Sequence, residues 1–329
     1  IKTKVVWKKI VLKDHNKTLS LKLRVFIVLN IKRKIWFESK TKVIVKMKIV
    51  FAGTPSFSVF HLNLLLKSRN EVAAVLTQPD RRSGRGNELR PSPVKILAEK
   101  EKITTFQPQT LKNNNEIIRV LNKINPDLIL VVAYGLIVPK KVLILPKLGC
   151  INVHASLLPK WRGAAPIERT ILEGDSEGGI TFMKMDEGLD TGPIMKMIPC
   201  SLDKEENSET LEIKYQDLSR TELIKFLESL SKGEVDEIKQ DSSLATYAEK
   251  ITTQETEILW DQHEAEYIQR KVRALFPKYG AFTFLGRKRI KILRAEEDIN
   301  SYQLSPGEIL ISSERSIHVG CKKNTSFHF

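Results

Sequence analysis

Leu128-Ile129-Leu130-Val131-Val132 is an unbroken apolar run between Asp127 and Ala133, and a strand without polar alternation is one buried on both faces. Such a strand belongs inside an α/β sheet with helices above and below it. Its neighbours agree. Upstream, Met47-Lys48-Ile49-Val50-Phe51-Ala52 is a short apolar run ended by Gly53-Thr54-Pro55, and Phe57, Phe60, Leu64 and Leu65 then follow at helical spacing. Residues 72–76 read as a second strand, and residues 93–101 and 117–124 as helices. Downstream, residues 151–154 read as a further strand. The alternation predicts an α/β fold with a Rossmann-like, doubly wound parallel sheet, in which the carboxyl end of the 151–154 strand opens on the ligand-binding crevice.

That strand ends in chemistry. Asn152 and His154 are two apart, so on an extended chain both side chains point to the same side. An Asn amide donates to a developing oxyanion, and an imidazole donates or shuttles a proton. A carboxylate then fixes the tautomer and charge of the imidazole. The carboxylate in view is Asp190, in the turn-rich segment Asp186-Glu187-Gly188-Leu189-Asp190-Thr191-Gly192, which separates two extended segments, 179–185 and 193–199. His154 alone reads as readily as a structural histidine, and Asp190 as a turn residue. Their combination with Asn152 favours an acyl-transfer site.

At Asn152, His154, Ser156-Leu157-Leu158-Pro159 and Asp190 the chain resembles the folate-dependent formyltransferases. The continuation Lys160-Trp161-Arg162-Gly163-Ala164-Ala165-Pro166-Ile167, with Gln78-Pro79-Asp80, Gly84-Arg85-Gly86 and Pro91-Ser92-Pro93-Val94-Lys95, is similar to the members of that family that act on initiator Met-tRNA. The pattern spans about residues 47–319. The resemblance implies transfer of the formyl group of 10-formyltetrahydrofolate, a co-substrate, to the α-amine of methionine on initiator tRNA. Asn152, His154 and Asp190 are then catalytic, and Ser156, Leu157, Leu158 and Pro159 contact the folate. No tightly bound cofactor and no metal are expected. Other formyltetrahydrofolate-dependent formyltransferases or hydrolases share the Asn, His and Asp. A non-catalytic RNA-binding module on the same fold is the alternative from another class. A nicotinamide enzyme is disfavoured by the missing G-x-G-x-x-G after the first strand.

The net charge of +15 suggests a polyanionic partner, but its distribution weakens that argument. Residues 1–46 hold fourteen Lys or Arg against two acids and so carry +12 of it. Local clusters say more. Arg81, Arg82, Arg85 and Arg90 surround Gly84 and Gly86, and the acid-free stretch 270–294 contains Arg287, Lys288 and Arg289. Either cluster reads as a solvated face or as a phosphate-gripping surface, and tRNA contact is the favoured reading for both.

Three widely spaced cysteines without a C-x-x-C pair fit a reducing compartment. Apolar runs fall short of a bilayer span. A cytoplasmic monomer with no membrane partner is expected, with the mitochondrial matrix as the alternative location. Residues 1–46 are expected to be a basic N-terminal extension dispensable for activity, and residues 47–231 the catalytic domain. Residues 232–248 read as a linker. Residues 249–329, with short β runs punctuated by Gly280, Gly286 and Pro306-Gly307, are expected to form a smaller tRNA-binding domain. The short β runs with turns suggest a small barrel, the resemblance makes it oligonucleotide-binding-like (OB-like), and it is expected to be incomplete.

Overall fold

A computed structural model describes residues 46–83, 86–297, 303–313, 316–324 and 326–328. The basic extension apart from Lys46, together with Gly84 and Arg85, lies outside the described residues.

Strands β1 (Lys48–Gly53), β2 (Glu71–Leu76), β5 (Thr105–Phe106), β6 (Leu128–Val132), β7 (Cys150–His154), β9 (Glu177–Lys184) and β10 (Ile194–Ser201) form one seven-stranded sheet, ordered β10-β9-β7-β6-β1-β2-β5. Strands β7, β6, β1, β2 and β5 run parallel, and β9 and β10 extend the sheet antiparallel at one edge. Helices α1 (Ser56–Leu66), α2 (Pro93–Lys100), α3 (Asn115–Ile124), α4 (Lys140–Leu143), α5 (Pro166–Leu172) and α6 (Ser208–Ser231) accompany it.

The apolar runs explain the layering, because alternate residues of one strand feed opposite faces. Ile49, Phe51, Leu128, Leu130, Ile151 and Val153 join one core cluster, with Leu62, Val94, Leu223 and Phe226 from the helices. Val50, Ala52, Ile129, Val131 and Cys150 join the other, with Ile117, Leu121 and Val142. Each fully buried Val, Leu or Ile contributes about 1.5–3 kcal/mol, so β1, β6 and β7 stabilise both layers at once. The expected α1 spacing is displaced on the helix face: buried positions are Phe57, Ser58, His61, Leu62 and Leu65, while Phe60 and Leu64 are half-buried.

Helix starts follow local capping. Ser92 accepts from Lys95 N at 3.1 Å ahead of Pro93, and Asn114 accepts from Ile117 N at 3.1 Å. Asn207 and Thr210 close a capping box that opens the 24-residue α6.

Two short two-stranded pairs lie outside the seven-stranded sheet. Strands β3 (Arg81–Ser83) and β4 (Glu88–Arg90) pair antiparallel, and β8 (Arg162–Gly163) pairs with β11 (Tyr247–Ala248) in parallel. The last pair bears on the segment expected as a linker. Residues 232–248 lie along the sheet: Ile238 bridges Ile194, Gln240 is buried, and β11 is hydrogen-bonded to β8.

Beyond it come α7 (Ala265–Leu275), β12 (Ala281–Leu285), β13 (Lys288–Ile292), β14 (Glu296–Glu297), β15 (Ile309–Ser313), β16 (Ser316–Gly320) and β17 (Ser326–His328). The small strand domain is therefore present. Among the described residues its strands pair as β12-β13 and as β14-β17-β16-β15, and they do not close into a barrel. Ile268, Val272 and Leu275 of α7 share a core cluster with Ile171 and Leu172 of α5, and Arg270 Nε donates to Leu172 O at 2.9 Å.

Candidate active site

The site forms where β7 stops. Asn152 and His154 are 9% and 5% exposed, on the strand face that Cys150 shares with the second core cluster. Asn152 sits between Val131 of β6 and Met183 of β9. Its Nδ2 donates to Asp190 Oδ1 at 3.2 Å, and Gly163 N donates to Asp190 Oδ2 at 2.9 Å. The same Oδ2 stands 3.6 Å from His154 Nδ1. Asn152, His154 and Asp190 are thus one cluster, although 38 residues separate the first from the last.

His154 is oriented from its other nitrogen. Nε2 lies 2.8 Å from Trp161 O, and a carbonyl only accepts, so Nε2 carries the hydrogen. In the neutral ring Nδ1 is then a lone pair turned toward a carboxylate oxygen, at a distance too long for a hydrogen bond. A proton placed on Nδ1 would be attracted by Asp190.

Trp161 and Gly163, on either side of Arg162, need an unusual backbone. Trp161 has φ 62° and Gly163 has φ 125°. A Cβ at Gly163 would stand 2.7 Å from Ala248 O, so only glycine lets β8 approach β11 this closely while presenting its N–H to Asp190. Asp190 itself has φ 52°, the left-handed conformation that Asp tolerates better than most residues.

Loops at the neighbouring strand ends close the crevice. Thr54 Oγ1 and Gln78 Nε2 each donate to Tyr134 O at 2.9 Å, which draws together the carboxyl ends of β1, β2 and β6. Asp80, at the foot of the β3–β4 arm, accepts from Lys95 Nζ at 2.7 Å and Gln107 Nε2 at 2.6 Å. Those contacts, the lysine's first, hold its carboxyl below the usual carboxylate range.

Of the expected folate contacts, Ser156 Oγ donates to Lys160 O at 2.6 Å, and Leu158 packs in a small buried cluster with Met183 and Ile194. Thr181 Oγ1 holds the turn by donating to Ser156 O and accepting from Leu158 N. Leu157 and Pro159 remain half-buried. Arg81, Arg82 and Arg90 are exposed on the β3–β4 arm, and Arg287, Lys288 and Arg289 on the β12–β13 hairpin. The Arg289 guanidinium lies 3.8 Å from the centroid of the Phe282 ring.

Sequence reasoning missed Gln240, which donates to Asp190 O and Gly192 O, and the carbonyl of Trp161. Long-range contacts to backbone atoms leave no spacing signal. Among the described residues no group of three His, Cys, Asp or Glu side chains is arranged to hold a metal ion, and no helix is long and apolar enough to cross a membrane.

The formyl transferase family pattern matches residues 47–227, and that of the formyl transferase C-terminal domain matches residues 250–327. The chain belongs to the formyl transferase family. One relative in this family is the methionyl-tRNA formyltransferase of Pseudomonas putida strain KT2440, 44% identical over 275 residues, which are 84% of this chain and 87% of the relative. The formyl transferase fold recurs in an N-formyltransferase from Helicobacter canadensis solved with folinic acid and dTDP-3-aminofucose. That match has TM-score 0.62 at 18% identity, covering 86% of this chain and 98% of that one. HypX from Aquifex aeolicus, solved with tetrahydrofolic acid, gives TM-score 0.60 at 16% identity over 86% of this chain and 43% of its own. At these identities the two structures speak for the fold.

Proposed function

We propose that this formyl transferase is a methionyl-tRNA formyltransferase: it moves the formyl group of 10-formyltetrahydrofolate to the free α-amine of methionine on initiator tRNA. The observation that carries the reading is the convergence of Asn152, His154 and Asp190 at the end of β7, in a chain 44% identical to a relative of that name.

Each residue has a role suited to its position. The α-amine attacks the formyl carbon in its neutral form, and its ordinary pKa of about 7.7–8.0 makes that form available near neutral pH. Asn152 Nδ2 turns toward the formyl oxygen as that atom gains charge. His154, held by Trp161 O, offers Nδ1 to the proton leaving the amine, and Asp190 stabilises the resulting imidazolium, which returns that proton to the folate nitrogen as the bond between that nitrogen and the formyl carbon breaks. The carboxylate therefore acts on the charge of His154 more than on its tautomer, which the Trp161 carbonyl sets.

The folate portion of the donor is assigned to the Ser156–Pro159 turn, where Leu157 and Pro159 keep accessible surface beside the cluster. Two basic clusters of the sequence, Arg81, Arg82, Arg85 and Arg90 and then Arg287, Lys288 and Arg289, are assigned to tRNA phosphates. Residues 47–231 then carry the chemistry and residues 249–329 contribute to tRNA binding, in a cytoplasmic, monomeric enzyme. The test is a formylation assay with charged initiator tRNA and 10-formyltetrahydrofolate. Transfer to the tRNA supports the reading. Hydrolysis of the donor, or transfer to an amino sugar nucleotide in place of tRNA, overturns it.

A further inference from the structure

We infer that Gln240 is a positioning residue for formyl transfer: with Arg162 behind it, it fixes the Asp190 turn so that the Asp190 carboxylate stays between Asn152 and His154. The inference rests on the catalytic reading of those three residues.

Gln240 is 6% exposed, and all its hydrogen-bonding capacity is used. Nε2 donates to Asp190 O at 2.8 Å and Gly192 O at 2.7 Å. Oε1 accepts from Arg162 Nε at 3.1 Å and Nη2 at 2.8 Å. A guanidinium only donates and a carbonyl only accepts, so the amide has one possible orientation.

Arg162 is 2% exposed, and its side chain donates to the Gln240 amide oxygen and the Ser242 hydroxyl, both neutral. Its charge polarises the Gln240 amide and strengthens the two N–H donors aimed at the turn. The turn needs holding. Asp190 adopts a left-handed backbone, and Gly192 sits so close to β9 that a Cβ there would stand 1.9 Å from Lys184 O.

The contacts close a ring. Arg162 reaches Asp190 through Gln240, and the Asp190 side chain returns to Gly163 N, the residue next to Arg162. Trp161, on the other side of Arg162, carries the carbonyl that orients His154. Residues just beyond Gln240 hold this tripeptide from behind: Trp161 N donates to Thr246 Oγ1 and Arg162 N to Thr246 O, both at 2.9 Å. The segment expected as a linker therefore touches the supports of both His154 and Asp190.

Gln240→Glu is the informative variant. It keeps an acceptor for Arg162 but sets a carboxylate oxygen against two carbonyl oxygens, which releases the Asp190 turn. In the full-length protein, kcat for formylation of initiator tRNA should fall about 10- to 100-fold, the loss typical of misplacing a catalytic group by about 1 Å. Affinity for 5-formyltetrahydrofolate should stay within about twofold, since the interaction lost is one used in the transition state.

Introduced into Asp190→Asn, the same change should cost no more than about a further threefold, because residues acting through one group are not additive. Gln240→Met, which removes the hydrogen bonds without adding charge, gives the same cycle if the glutamate variant fails to fold. Losses that multiply across the cycle, or a folded Gln240 variant with parental kcat, overturn the inference while Asp190→Asn itself stays impaired. An Asp190→Asn enzyme with parental turnover instead removes the catalytic reading on which the inference stands.

Discussion

Asp190 Oδ2 lies 3.6 Å from His154 Nδ1 while His154 Nε2 is held 2.8 Å from Trp161 O, so the imidazole is fixed from one side and left ready for a proton on the other. The same carboxylate accepts from Asn152 Nδ2 and from Gly163 N. Asn152 and His154, the proposed oxyanion donor and proton acceptor, are therefore linked through the Asp190 carboxylate, and perturbing one is expected to be read in the others.

Asn152→Ala is expected to reduce kcat for formyl transfer about a hundredfold or more, the cost of losing one oxyanion donor at the transition state. Binding of initiator tRNA should be nearly unchanged, because Asn152 is 9% exposed and offers the tRNA little surface. Single-turnover assays beside tRNA titrations check this. More than half of the parental turnover in a folded variant removes the oxyanion assignment.

The residues that carry this site were legible in the sequence to different depths. Asn152 and His154 follow from period-2 geometry at the end of an apolar strand, and Leu128–Val132 lies where its composition placed it, covered on both faces. Asp190 was visible through the resemblance and as a turn residue. Gln240 was invisible: it sits in a polar stretch whose role depends on backbone carbonyls about fifty positions away, and such contacts leave no periodicity. The strands β9 and β10 were foreseen as extended segments, but their antiparallel pairing was not, because a period of two says nothing of strand direction. The barrel expected of residues 249–329 came from short β runs between turns and from the resemblance, and the described strands pair without closing.

His61 gives the folded state a pH dependence. It is fully buried, with Nδ1 donating to Phe57 O and Nε2 accepting from Ser219 Oγ, both at 2.8 Å. Burial lowers its pKa to about 4 from 6.5. Above pH 6.5 the ring is neutral in both states and its contribution is fully present. As pH falls toward about 4, the unfolded chain takes up a proton that the folded chain refuses, and stability drops by up to about 3 kcal/mol. His61→Gln should be less stable at pH 7 yet flatter between pH 6.5 and 4.5 in denaturant unfolding. Parallel pH curves for the two proteins count against this origin.

Cysteine labelling should divide in two. Burial pushes the thiols of Cys150 and Cys321 up to about 12, whereas Cys200 is half-buried on β10. Only the thiolate reacts, so alkylation at pH 8 should mark Cys200 first and reach the other two on unfolding. Peptide mass spectrometry of iodoacetamide-treated protein reads the order directly. Rapid labelling of Cys150 in the folded chain contradicts the buried environment assigned to it.

Arg81 and Arg90 are register partners across the β3–β4 arm, both exposed, so two like charges face one another on the same side. Directly opposed like charges are unfavourable by roughly 0.2–1 kcal/mol, and the nearby Glu88, 3.7 Å from Arg90 in an exposed pair, relieves little of it. A polyanion lying along that side removes the repulsion, which is the physical case for a phosphate contact there. Each phosphate paired to Lys or Arg adds about 0.7 to 0.9 to the slope of log affinity against log salt. Replacing Arg81 and Arg90 together by Ala should therefore make the slope for initiator tRNA shallower by roughly 1.4 to 1.8, with folate binding unchanged. Lys67 and Arg69, exposed at the opposite end of β2, form the control pair, and their replacement should leave the slope as it is. If both pairs change it equally, the arm contributes only net charge, and tRNA recognition shifts to Arg287, Lys288 and Arg289 on the β12–β13 hairpin.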